Sequence, residues 1–61
     1  MVIGNKYKNK DGDILVIVNI LPYTKWSIYN ICLAPEGCAY VDGFSFWVSE
    51  EELEKEYIKL D

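Results

Sequence analysis

The longest unbroken apolar run in the chain is Ile14-Leu15-Val16-Ile17-Val18, followed by Asn19 and Ile20. Four of its residues are β-branched, and it starts directly after the turn signal Asn9-Lys10-Asp11-Gly12, which predicts a strand over Ile14–Ile20. Apolar residues fill successive positions rather than alternate ones, so both faces of this strand are expected to be covered, as in a small closed or half-closed barrel.

The flanking patterns supply the remaining elements. Val2-Ile3 opens a strand-like stretch through Lys8, in which Tyr7 points to the central strand while Lys6, Lys8 and Lys10 alternate on the other side. That is the pattern of an edge strand blunted by lysines. Lys10-Asp11-Gly12 suits a three-residue hairpin loop closed by a left-handed Gly12, with a two-residue Asp-Gly turn as the alternative. Leu21-Pro22-Tyr23-Thr24-Lys25 breaks the pattern as a loop, since Pro22 cannot donate to a ladder.

Trp26–Ala34 then reads as a second long strand, with Trp26, Ile28, Asn30 and Cys32 on one face and Ser27, Tyr29, Ile31 and Leu33 on the other. Ala34-Pro35-Glu36-Gly37 has the chemistry of a three-residue hairpin loop, which sets Ala34 opposite Cys38 and Cys32 opposite Tyr40. Cys38–Asp42 is a short strand, Asp42-Gly43 a turn or kink, and Phe44–Val48 a strand with Phe44, Phe46 and Val48 on one face and Trp47 on the other.

Ser49 and Glu52 form a capping box, and Leu53, Tyr57 and Leu60 make one apolar stripe on a short helix. Tyr57–Leu60 has a second option, to leave the helix and pair as a last short strand. The expected fold is mainly β: one domain, residues 1–61, an SH3-like barrel or strongly twisted antiparallel meander of four or five strands with one short C-terminal helix.

Composition changes this picture in one respect. A chain of 61 residues buries only roughly 60% of its unfolded surface. Yet 51% of its residues are apolar and nine are aromatic, more than so small a core encloses. Some aromatics are therefore expected at the surface or against another chain; the plain alternative is that all of them are core.

Charge and residue types narrow the chemistry. Six lysines stand against ten carboxylates, net −4, with neither arginine nor histidine. Phosphate backbones are held by Lys and Arg, so nucleic acid is disfavoured as a partner. Without histidine the usual general base and commonest metal ligand are gone, and Asp11, Asp13 and Asp42 are explained by turn chemistry, so no catalytic residue is assigned.

Asn9, Asp11 and Asp13 have the spacing that opens a calcium loop, but the required Gly and Glu positions hold Ile14 and Ile20. Cys32 and Cys38 are too few for zinc, and the predicted register does not make them neighbours, so free thiols are expected. Neither a metal nor a cofactor is implied. Residues 1–6 lack the pattern of a signal peptide and no apolar run approaches a membrane span, so a cytoplasmic chain that avoids membranes is expected.

Gly4-Asn5-Lys6-Tyr7-Lys8, Asp11-Gly12-Asp13-Ile14 and the tail Trp47-Val48-Ser49-Glu50-Glu51-Glu52-Leu53-Glu54-Lys55-Glu56-Tyr57 resemble the SH3-like small β-barrels encoded by bacteriophages and prophages. The resemblance implies an accessory protein in a bacterial host cell that interferes with a host system, and carries over no functional residue. Where typical members place a basic patch for nucleic acid, this chain has none.

The leading expectation is a non-catalytic module that binds a protein partner, for instance as a counter-defence inhibitor, or that forms a homodimer. Tyr23, Trp26, Tyr29 and Trp47 are the candidate interface, and Glu50, Glu51 and Glu54 a candidate acidic rim that steers a basic partner. The alternative is a small-ligand site in which Trp26, Tyr29 and Trp47 form a stacking wall for a nucleotide.

Overall fold

The computed structural model describes residues 1–39 and 43–60. Five strands form one antiparallel sheet in the order β4-β3-β2-β1-β5. They are β1 (Lys6–Lys8), β2 (Ile14–Ile20), β3 (Ile31–Pro35), β4 (Phe46–Val48) and β5 (Ile58–Leu60), with a 3-10 turn at Glu36–Cys38 and one α-helix, α1 (Glu50–Glu56). The mainly β fold with a single short C-terminal helix is as the sequence predicts. Among the described residues the sheet has two ends, β4 and β5, and is not a closed ring.

The central strand takes the predicted bounds. Leu15 and Ile17 are buried on its inner face, while Ile14, Val16 and Val18 are half-buried on the other, so the uninterrupted apolar run reflects unequal cover on two sides. The inner face continues across the sheet through the register pairs Tyr7 with Leu15, Ile17 with Leu33, and Ile31 with Val48. Leu53 of α1 completes this core, with Ile20 and Tyr57 packed at its margin.

Strict alternation from Ile17 would turn Asn19 inward. A register shift between Ile17 and Asn19 reverses the parity, so that Ile20 pairs with Ile31 and meets the core while Asn19 is exposed.

Lys10–Gly12 is the three-residue loop: Asn9 N donates to Asp13 O at 3.0 Å and Gly12 has φ +90°. Asn9 Oδ1 accepts from the amides of Asp11 (3.0 Å) and Asp13 (2.9 Å), so this side chain is committed to the turn rather than to a cation.

Several expectations are corrected. The first strand is not an edge, because β1 lies between β2 and β5; Lys6 and Lys8 alternate with buried Tyr7 because they occupy the outer face. The strand predicted over Trp26–Ala34 begins only at Ile31 and runs to Pro35, residues 26–30 being loop. Ala34–Gly37 is not a hairpin: Pro35 stays in the strand opposite Leu15, and Glu36–Cys38 is a 3-10 turn. Cys32 therefore lies opposite Trp47, and the strand expected over Cys38–Asp42 is absent as far as Ala39, while Tyr40, Val41 and Asp42 lie outside the described residues.

The strand expected over Phe44–Val48 starts at Phe46, and of Phe44, Phe46 and Val48 only Val48 is buried. Both cysteines are free thiols, Cys32 buried and Cys38 half-buried.

At the other end, Ser49 caps α1. Its Oγ accepts from Glu52 N at 3.1 Å and its carbonyl from Leu53 N at 3.0 Å. The helix stops at Glu56, where Tyr57 is already extended (φ −129°, ψ 153°), and the chain leaves to pair as β5. Of the two options for the tail, the short strand is the one taken.

Candidate functional site

Among the described residues, six aromatics are exposed: Tyr23, Trp26, Tyr29, Phe44, Phe46 and Trp47. Tyr7 is buried and Tyr57 half-buried. The core is built largely from aliphatic side chains, so the alternative that every aromatic is core is overturned.

Four of the six belong to one surface because of how residues 21–30 are closed. Leu21 N donates to Asn30 O (2.8 Å) and Asn30 Nδ2 donates to Leu21 O (3.0 Å), joining the two ends of the loop. Within it, Ser27 N reaches Thr24 O at 3.1 Å and Trp26 N reaches Thr24 Oγ1 at 3.2 Å, so Lys25 and Trp26 form the tip of a tight turn. Aromatic side chains at 23, 26 and 29 are carried outward as a result.

Trp47, on the outer face of β4, meets that loop. Leu21, Lys25, Trp26, Ile28, Tyr29 and Trp47 line an open groove of about 590 Å³. Trp47 is 42% exposed there and Trp26 87%. A second groove of about 360 Å³ is lined by Tyr23, Ile28, Ser49, Glu50, Glu51 and Glu54. Ile28 lines both, so the two grooves adjoin across a single side chain.

Every residue predicted for the interface and its acidic rim therefore lines one of two neighbouring grooves. Leu21, Lys25 and Ile28 also line this surface and are not singled out by the sequence. Leu21 and Lys25 read as loop and Ile28 as strand interior, and only the ring closure by Asn30 brings them together.

The three carboxylates are not equivalent. Lys55 Nζ lies 2.9 Å from Glu51 Oε1, and this hydrogen bond, with the accompanying charge attraction, holds the Glu51 carboxyl below its ordinary range and raises Lys55. Glu50 and Glu54 make no ion pair among the described residues. They are the carboxylates available to an incoming cation.

Elsewhere, Phe46 lines a separate cleft with Ile14, Pro35 and Glu36. Among the described residues no group of three or more His, Cys, Asp or Glu is placed to hold a metal ion, and no helix is long and apolar enough to cross a membrane.

No protein-family model, curated protein or solved structure matches the chain.

Proposed function

We propose that the protein is a non-catalytic interaction module that docks a protein partner on the surface formed by Tyr23, Trp26, Tyr29 and Trp47. One observation carries this: aromatic residues from the loop and from β4 converge beside two unpaired carboxylates while the core is completed without them. Large aromatics left exposed in one place, next to charge, form the centre and rim of an interface. The resemblance to phage-encoded SH3-like barrels fits a chain that acts on a host macromolecule in the bacterial cytoplasm.

Replacing Trp47 by alanine tests the proposal. Partner capture should weaken by about 2 kcal/mol or more, with the circular dichroism spectrum unchanged. Reversing Glu50 and Glu54 to lysine should mainly change the salt dependence of association. A Trp47→Ala protein that is folded and binds as before would refute the assignment.

A homodimer would use the same aromatic surplus, but two copies would bring the same carboxylates together. A monomer by light scattering removes that use. A stacked small ligand is the second reading, favoured by the convergence of Trp26, Tyr29 and Trp47 in one groove. Thermal shift with nucleotides tests it, and an unmoved melting point rejects it.

A further inference from the structure

The docking surface proposed above already holds a cation. Lys25 Nζ lies 5.4 Å from the centroid of the Trp26 ring, inside the roughly 6 Å over which an ammonium is drawn to the electron-rich face of an indole. Trp26 is 87% exposed and Lys25 is exposed as well, so this contact is made at the open surface. Lys25 has no carboxylate partner among the described residues, in a chain with ten acidic and six basic side chains. Across Ile28, Glu50 and Glu54 face the adjoining groove with no lysine of their own.

A segment arriving with its own ammonium or guanidinium meets an indole face on one side of Ile28 and unpaired carboxylates on the other. Its aliphatic neighbours meet Leu21, Ile28 and Trp47. We infer that the aromatic groove takes a lysine or arginine side chain from a basic, aliphatic-bearing protein segment, and that Lys25 occupies this place in the free protein and is displaced on binding.

Charge selects this occupant over others. The chain is net −4, so a second copy or a nucleic acid would place like charge against Glu50 and Glu54, whereas a basic segment is attracted to them.

Selection from a ribosome-displayed library of random nonapeptides, run in parallel on the wild-type protein and on Trp26→Ala, tests the class of ligand. Enriched sequences should carry Lys or Arg beside an aliphatic or aromatic residue, and lose about tenfold or more in affinity for Trp26→Ala. Enrichment of uncharged or acidic sequences would overturn the inference and leave the docking surface standing. No enrichment on the wild type above the variant would remove both. Circular dichroism checks that Trp26→Ala is folded, as expected for a side chain at an exposed turn.

Displacement of Lys25 is read with the enriched peptide. At 1 M salt, where the screening length is about 3 Å, Lys25→Gln should bind about two- to fivefold more tightly than wild type, because the competing ammonium is gone. In proton spectra the Lys25 ε-methylene should be shifted upfield by the indole in the free protein and return toward its ordinary position at saturation. An unchanged or weaker Lys25→Gln affinity, or an upfield shift that persists in the complex, would overturn the displacement.

Discussion

Leu21 and Asn30 hold each other by two hydrogen bonds, backbone to backbone at 2.8 Å and Asn30 Nδ2 to Leu21 O at 3.0 Å. Asn30 is the one polar residue buried among the described residues, and its Oδ1 has no partner there. Burying an amide with an unmet acceptor costs free energy, which the two hydrogen bonds to Leu21 offset. Asn30→Ala leaves the Leu21 carbonyl without its side-chain donor and should cost about 1–3 kcal/mol in urea denaturation. Binding at the aromatic groove should weaken in the same variant, since Leu21 and Tyr29 are no longer fixed relative to each other.

Ser49→Ala removes the side-chain acceptor for Glu52 N and should cost about 0.5–2 kcal/mol. Leu53→Ala empties a position that is 1% exposed and should cost about 2–5 kcal/mol. A domain of this size has roughly 3–9 kcal/mol in total. Chemical denaturation should therefore show Ser49→Ala folded with a lowered midpoint, and Leu53→Ala close to or past the unfolding threshold at room temperature.

Burial, with smaller additions from the charges of Glu52 and Glu56, pushes the Tyr57 phenol above its ordinary value of 10.0. The folded protein favours the neutral phenol more than the unfolded chain does. The resulting stabilisation is complete below about pH 10 and is lost as pH rises through the higher folded value. Stability measured across the alkaline range should fall with pH more steeply for wild type than for Tyr57→Phe, and the difference in ultraviolet absorbance between the two proteins should place the Tyr57 titration above its ordinary value.

The two thiols should be distinguishable by reactivity. Cys38, the half-buried last residue of the 3-10 turn, should react with a thiol reagent in native protein, whereas Cys32, 5% exposed and opposite Trp47, should react only as the sheet opens. The intact mass should be that of the reduced chain. A native mass two hydrogens lower would contradict this.

The sequence makes β2 legible because every residue from Ile14 to Val18 is apolar and a specific turn precedes it. It makes α1 legible through Ser49 and Glu52, and the three-residue loop through Gly12. Residues 26–30 read as strand because Trp26, Ile28 and Tyr29 have the composition of one, and composition is the same whether a side chain faces a core or solvent. What decides the matter is the contact from Asn30 to Leu21, nine positions earlier, which no local pattern encodes.

Similarly, Lys6 and Lys8 alternate around Tyr7 in an outer face as they would in an edge strand, and only the return of β5 separates the two cases. Pro35 misleads because a proline at the end of a strand is as acceptable to the backbone as one inside a turn. The aromatic surplus is visible in composition, but its gathering beside Glu50 and Glu54 depends on the loop closure.

The pairing of β1 with β5 sets an order on synthesis. Lys6 lies opposite Leu60, so the side of the first strand that faces away from β2 is paired only by the fifth. During translation the hairpin of β1 and β2 can form early, yet its open side stays unpaired until residues 58–60 clear the ribosome. A chain released before Ile58 would offer that side to other chains, whereas a permuted chain in which β5 runs directly into β1, reopened at a surface loop, would let both strands emerge together.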